Sequence, residues 1–161
     1  MARWLERASV LLALAGALLL AAAATLTGIS IVGRWLADAP IVGDIELMQI
    51  ACAVAIALVL PYCQWQAGHV TVDFFTRRTP AKVRRALDRA GHAAAALVLA
   101  LLAWRAGVGV VEMRAAGETT MLLGVPTWLS YLAMVPGLLL AALVALHALL
   151  VAADDAPASE S

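Results

Sequence analysis

Four apolar stretches, each about 20 residues long, occupy most of this 161-residue chain. They cover residues 10–32, 45–64, 93–111 and 126–151. About 20 residues of helix cross the hydrocarbon core of a bilayer, which is about 30 Å thick. Lipid offers no partner to backbone amides and carbonyls, so each stretch must satisfy these groups internally, as a helix. The sequence therefore predicts an all-α membrane protein with four transmembrane helices.

The composition excludes a water-soluble fold of this size. Hydrophobic residues make up 64% of the chain and charged residues only 14%. A soluble monomer built from these residues would expose apolar patches far larger than the roughly few hundred Å² that such proteins tolerate. We expect a single transmembrane domain over residues 1–153, followed by a short acidic tail over residues 154–161.

The positions of the cations predict the orientation of the chain in the membrane. Arg3 and Arg7 precede the first stretch, whereas the first and third connections carry one arginine each, Arg34 and Arg114. The second connection holds a basic cluster: Arg77, Arg78, Lys82, Arg84, Arg85 and Arg89. The positive-inside rule therefore places both termini and the second connection in the cytoplasm. This cluster lies where topology alone would place it, so it indicates no nucleic-acid partner.

Residues 80–90 of the second connection have the pattern of a short amphipathic helix. Val83 and Leu87 share one side, and the basic residues lie elsewhere. We expect this segment to lie along the lipid headgroups before the third span begins. The basic cluster either binds anionic headgroups, at about 1 kcal/mol per residue, or serves only to set the topology.

The first stretch also resembles a secretory signal peptide, because a basic start precedes an apolar run that contains residues 21–24, all alanine. Its apolar run of about 23 residues exceeds the roughly 7–15 of a signal core, which favours a membrane span. Cleavage would leave three spans in the same orientation.

Alanine and glycine recur at intervals of four residues along the apolar stretches. The pairs and triplets are Ala13, Ala17 and Ala21; Ala24 and Gly28; Ala53 and Ala57; and Ala141 and Ala145. Small side chains at this spacing let helix backbones approach closely in lipid. The alternative is that alanine is simply abundant in this chain.

Arg105 is the charge that lies well inside a predicted span. Ionisable residues at membrane depth are costly and are functional candidates by default. The arginine either extends its side chain to the membrane surface, or pairs with Glu112 two turns away, or pairs with an acid on another chain.

No cofactor, metal site or enzymatic activity is expected. Cys52 and Cys63 are about 16 Å apart on one helix, well beyond the roughly 7 Å between the Cα atoms of a disulfide. A haem would need histidines at matched depth on facing helices, and the positions of His69, His92 and His147 do not favour this arrangement.

Three sets of residues, in order along the chain, form a pattern. Arg34 is followed by Pro40 and by Glu46, and Gly68-His69-Val70-Thr71-Val72-Asp73 follows the second stretch. The last set is Gly117-Glu118-Thr119-Thr120, Pro126-Thr127-Trp128, Tyr131 and Pro136-Gly137. Together they resemble the R…P…E, G-H-[VI]-x-V-D and G-x-x-T…P-x-W-x-x-Y…P motifs of the small membrane subunit of tripartite ATP-independent periplasmic (TRAP) transporters. One departure is an alanine-rich second stretch where the family is usually aromatic-rich.

The resemblance implies a bacterial inner-membrane subunit that works with two partners. A periplasmic binding protein would capture an organic acid, such as a C4-dicarboxylate or a sialic acid. A large multi-span subunit would carry the substrate and the coupling sodium ions. The small four-span subunit would be a fixed scaffold for an elevator-type movement, surrounded by membrane lipids. The alternatives are an anchor or assembly subunit of another inner-membrane complex and a self-sufficient small homodimeric transporter.

Within this resemblance we identify candidate structural or partner contacts. They are Arg34, Glu46, His69, Asp73, Arg105, Glu118 and Trp128. Arg34 and Glu46 flank the first external connection, where an ion pair between them would either fix the hairpin or contact the partner subunit. His69 and Asp73 either share a hydrogen bond or belong to an ordinary loop turn. Trp128 lies at a predicted membrane interface, as in an aromatic belt.

Acidic residues in the external connections offer a surface to the binding protein. Glu118 belongs to this surface together with Asp38 and Asp44.

Overall fold

The computed structural model describes residues 2–37, 41–67 and 81–154, and within these ranges its regular structure is helical. The four helices are α1 (Ala2–Ala37), α2 (Asp44–Ala67), α3 (Ala81–Ala116) and α4 (Trp128–Asp154). Each contains an apolar window long enough to cross a bilayer. The predicted all-α fold with four membrane-spanning helices is confirmed for the part of the chain that the structure describes.

The helices pack in the order α1–α2–α4–α3, so that α2 and α4 form the central pair. Helix α1 packs against α2, and α3 packs against α4. The central crossing is close because Gly137 of α4 faces the backbone of α2. A Cβ at this position would lie 2.6 Å from the Ala57 carbonyl carbon and 3.0 Å from the Leu58 nitrogen. Such close backbone approach is a main source of helix association in lipid.

The core is thin and consists largely of alanine. One buried cluster contains Ala57, Ala103, Ala106 and Leu138, and a second contains Leu99, Ala141 and Ala145. Many of the larger side chains point outward; Leu18 of α1 and Leu97 of α3, for example, are exposed over 71% and 72% of their surface. In water such a surface would be unfavourable, whereas in lipid it is the expected outer face.

Helices α1 and α3 are longer than the apolar stretches that predicted them. Each contains 36 residues, which corresponds to about 54 Å of helix against a hydrocarbon core of about 30 Å. The described part of the predicted amphipathic segment, from residue 81 to 90, forms the first turns of α3. A separate interfacial helix is therefore not confirmed, and the orientation of the bundle in the membrane stays a prediction.

Candidate functional site

The chain leaves α3 through a glycine C-cap. Gly117 has a φ of +66°, and its amide donates to the Arg114 carbonyl at 3.4 Å. The Glu118 amide donates to the Met113 carbonyl at 3.4 Å. This pair of bonds is a Schellman motif, which satisfies carbonyls at the helix end and turns the chain back over the bundle.

Residues 117–127, here called the α3–α4 loop, form a compact hairpin. An isolated β-bridge joins Thr119 and Pro126. The Thr120 amide donates to the Val125 carbonyl at 2.9 Å, and the Val125 amide donates to the Thr120 hydroxyl at 3.1 Å. Gly124 closes the turn with a φ of +64°, a conformation that glycine adopts without strain. The hairpin is thus held by bonds between its own residues.

Glu46 in the first turn of α2 ties this loop to the opposite half of the bundle. Its carboxylate accepts hydrogen bonds from the Leu122 amide at 2.9 Å and the Leu123 amide at 3.2 Å. The Met121 amide and the Thr120 hydroxyl interact with the same group. We call this arrangement the Glu46 latch.

Gly43 makes room for the latch beside the start of α2. Its φ is +85°, and a Cβ there would lie 2.5–2.9 Å from the side-chain carbons of Leu123. A larger residue would therefore be strained in its backbone and would also push Leu123 away from α2.

A second polar cluster joins the end of α1 to the start of α2. Ser30 is fully buried, and its hydroxyl accepts a hydrogen bond from the Ile41 amide at 3.2 Å. The same hydroxyl hydrogen-bonds the Asp44 carboxylate, and the charge of Arg34 acts on that carboxylate too. The predicted partner of Arg34 was Glu46, but the described partners of Glu46 are the amides of the α3–α4 loop.

Asp44 is only 7% exposed, because the helix start and Ser30 enclose it. It therefore does not contribute to the acidic docking surface that the sequence suggested. Glu118 of that predicted surface is exposed, whereas Asp38 lies outside the described residues.

Trp128, the first residue of α4, packs beneath a cation from α3. The Arg114 guanidinium carbon lies 5.4 Å from the centre of the Trp128 ring. A cation–π contact of this kind contributes about 0.5–1 kcal/mol at an exposed site. It connects the two helices next to the hairpin that joins them.

The opposite end of the bundle has its own contacts. The Trp65 ring of α2 stacks on His147 of α4, with ring centroids 6.0 Å apart. Arg89 of α3 donates from Nε to the Ala152 carbonyl in the last turn of α4 at 3.0 Å. A cation at this position complements the negative end of the helix dipole.

The remaining predicted residues are placed as follows. Arg105 and Glu112 are exposed on α3. Lys82, Arg84 and Arg85 lie in the first turns of α3, where the structure describes their backbone but not their side chains. His69, Asp73, Arg77 and Arg78 lie outside the described residues, so the predictions made for them stay predictions.

In the part of the chain that the structure describes, the polar groups of this site join the helices and loops of the protein to one another. Both carboxylates at the start of α2 accept bonds from the chain itself. The described histidine, cysteine, aspartate and glutamate residues form no group of three that could hold a metal ion. Sequence reasoning missed Ser30 and the loop amides as partners, although the helix-starting acids Asp44 and Glu46 were a visible signal.

The fold and the site define a multi-pass membrane protein whose polar side chains join its helices at their ends. The matching family model is that of the DctQ component of the tripartite ATP-independent periplasmic transporters, over residues 23–155. The chain belongs to this family. It is the small permease component of a TRAP transporter, a multi-pass protein of the bacterial inner membrane. Members of this family are components of a transporter, and the family is not a family of enzymes. A comparison with curated proteins finds no significant match.

Proposed function

We propose that this chain is the stationary scaffold subunit of a sodium-coupled transporter that imports organic acids. The large permease subunit moves the substrate and coupling sodium ions in an elevator-type motion, and a periplasmic binding protein delivers the substrate. Membership of the DctQ family carries the proposal. C4-dicarboxylates and sialic acids are the substrate class that we propose to test first.

The packing of the central helices supports a rigid role. Gly137 places α4 directly against the α2 backbone at Ala57, and the Glu46 latch joins the start of α2 to the α3–α4 loop. Tightly packed interfaces of this kind resist continuous deformation. A subunit that braces a moving neighbour needs this property more than it needs a binding pocket.

A charge on the outer surface of α3 supports a role beside a partner. Leu101 and Trp104 are exposed over 58% and 70% of their surface, and Arg105 is exposed next to them. We propose that this face meets the large subunit and that Arg105 pairs there with an acid at membrane depth. A charge at that depth is costly unless it is paired or reaches the surface.

The experiment is reconstitution of the large subunit and the binding protein into proteoliposomes, with and without this chain. A sodium gradient drives the uptake of labelled dicarboxylates and sialic acid. We expect uptake only when all three proteins are present, because the large subunit needs this chain as a fixed scaffold for its movement. Liposomes that contain this chain alone are the matched control and should give the background of empty liposomes.

Two results would contradict the proposal. Solute flux through liposomes that contain only this chain would make it a transporter itself. Undiminished uptake by the other two proteins without this chain would remove its scaffold role.

A further inference from the structure

The α3–α4 loop presents large apolar side chains instead of the polar ones that usually face water. Met121 is 98% exposed and Leu122 is 63% exposed. At the start of α2, joined to the loop by the Glu46 latch, Val42 and Ile45 are 67% and 64% exposed. We call Val42, Ile45, Met121 and Leu122 the apolar corner.

Most backbone amides of this loop have their acceptors within the protein. Amides with an acceptor inside the protein are those of Gly117, Glu118, Thr120, Leu122, Leu123, Gly124, Val125 and Thr127. An exposed loop in water has no need of such pairing, because water satisfies its amides. Near the hydrocarbon each unpaired amide is costly, so a loop at that depth must pair them internally.

The Glu46 latch supplies the acceptors that the hairpin itself lacks. Leu122 and Leu123 donate to the carboxylate. The negative charge is thereby directed at the backbone of the loop. The same bonds draw Met121 and Leu122 to the first turn of a membrane-spanning helix.

The surroundings of the corner favour lipid as its occupant over a protein. Ile45 belongs to α2 itself, so the corner continues the apolar face of a span. Across the α1–α2 connection, Trp35 and Leu36 in the last turns of α1 are exposed over 84% and 70% of their surface. Tryptophan and aliphatic side chains at the end of a span are typical of the headgroup boundary.

We propose that the apolar corner inserts into the headgroup–acyl boundary of the leaflet at this end of the bundle, and that the Glu46 latch holds it there. The α3–α4 loop is then a membrane anchor. This inference requires only the chain and a bilayer, so it stands apart from the scaffold proposal.

The test measures the depth of single labels on the full-length chain in nanodiscs. The background variant is Cys52→Ala with Cys63→Ala, and bimane is attached at Met121→Cys or, as the matched control in the same loop, at Glu118→Cys. The nanodiscs contain phosphatidylethanolamine and phosphatidylglycerol, together with a lipid that carries a doxyl group on its acyl chain close to the headgroup. Iodide is the aqueous quencher.

We expect doxyl lipid to quench the label at 121 at least about twofold more than the label at 118, since anchoring side chains sit roughly 5–10 Å into the boundary. Iodide should show the reverse order. A third label, at Leu122→Cys, should follow the label at 121.

The role of the latch is tested by Glu46→Ala in the same labelled background. Loss of the carboxylate should reduce doxyl quenching at 121 towards the value at 118. Full quenching at 121 in a folded Glu46→Ala variant would reject the latch as the holding device. If that variant does not fold, the comparison of 121, 122 and 118 in the parent still decides the anchor.

Two outcomes would overturn the anchor. Iodide quenching at 121 and 122 equal to that at 118 would place the corner in water. Protection of 121 that begins only when the large subunit is added would show a protein contact instead of a lipid one.

Discussion

Ser30 is a single hydroxyl that serves two groups beyond its own helix. It accepts a bond from the Ile41 amide and hydrogen-bonds the Asp44 carboxylate, and it is fully buried. Ile41 lies in the connection between α1 and α2, and Asp44 is the first residue of α2. A buried group that loses its partner keeps the cost of its desolvation, so the loss exceeds the value of an average hydrogen bond.

Replacement of Ser30 by alanine should therefore lower the free energy of unfolding by about 1–3 kcal/mol. The measurement is reversible unfolding in mixed detergent–SDS micelles, followed by circular dichroism. Thr25→Ala is the matched control on the same helix, because its exposed hydroxyl donates only to the Ala21 carbonyl at 2.8 Å. We expect that change to stay within about 0.5 kcal/mol of the parent. Equal effects of the two substitutions would contradict the proposed role of Ser30.

At this scale the sequence could predict which residues matter but not what they bind. Asp44 and Glu46 are visible as acids that begin a helix after a loop. The partner of Glu46 is a set of backbone amides about 76 residues further along the chain. An amide has no signature in the sequence, since every residue except proline has one. The predicted pairing with Arg34 was reasonable from charge alone, yet tertiary contact decided the partner.

At the scale of the helices, the central crossing depends on one missing side chain. The position of Gly137 leaves no room for a methyl group beside the Ala57 carbonyl. Because that neighbour is backbone within a helix, it cannot rotate away as a flexible side chain would. The helices would have to move apart at the buried cluster that contains Ala57 of α2 and Leu138 of α4.

Gly137→Ala should destabilise the bundle by about 1–3 kcal/mol through this overpacking. Gly107→Ala is the matched control, since Gly107 is also a helical glycine but has nothing from the neighbouring helices within 4 Å of the point that a Cβ would occupy. There alanine should be neutral or stabilising by up to about 1 kcal/mol through its better helix propensity. Unfolding in the same micelles measures both. A neutral Gly137→Ala would show that α2 and α4 are not in close contact.

The small-residue pairs show how far sequence reasoning reaches for a helix. Ala57, Ala141 and Ala145 are buried as the spacing predicts, whereas Ala17 and Ala21 are exposed. A four-residue spacing identifies a face that suits close packing, but alanine is common on every face of this chain. The apolar stretches also predict α1 and α3 to be shorter than they are. Hydropathy measures only the apolar length, whereas both helices continue into polar sequence.

At the scale of the molecule, the contacts sort the helix ends into two groups. The Glu46 latch places the α1–α2 and α3–α4 connections at one end of the bundle. The Trp65–His147 stack and the Arg89–Ala152 bond place the end of α2, the start of α3 and the end of α4 at the other. The described members of the basic cluster, Lys82, Arg84, Arg85 and Arg89 in the first turns of α3, belong to this second end. The positive-inside rule assigns that end to the cytoplasm.

Cysteine accessibility in intact bacteria tests this orientation. In the background without native cysteines, Glu118→Cys should react with a membrane-impermeant maleimide added outside, once the outer membrane is made permeable. Glu6→Cys, which is exposed in the first turns of α1 and keeps every cation in place, should react only after the inner membrane is opened. Both positions now carry a glutamate, so the two substitutions remove the same charge. If residue 6 reacted before residue 118, the bundle would have the opposite orientation in the membrane. The α3–α4 loop and its apolar corner would then lie at the cytoplasmic leaflet.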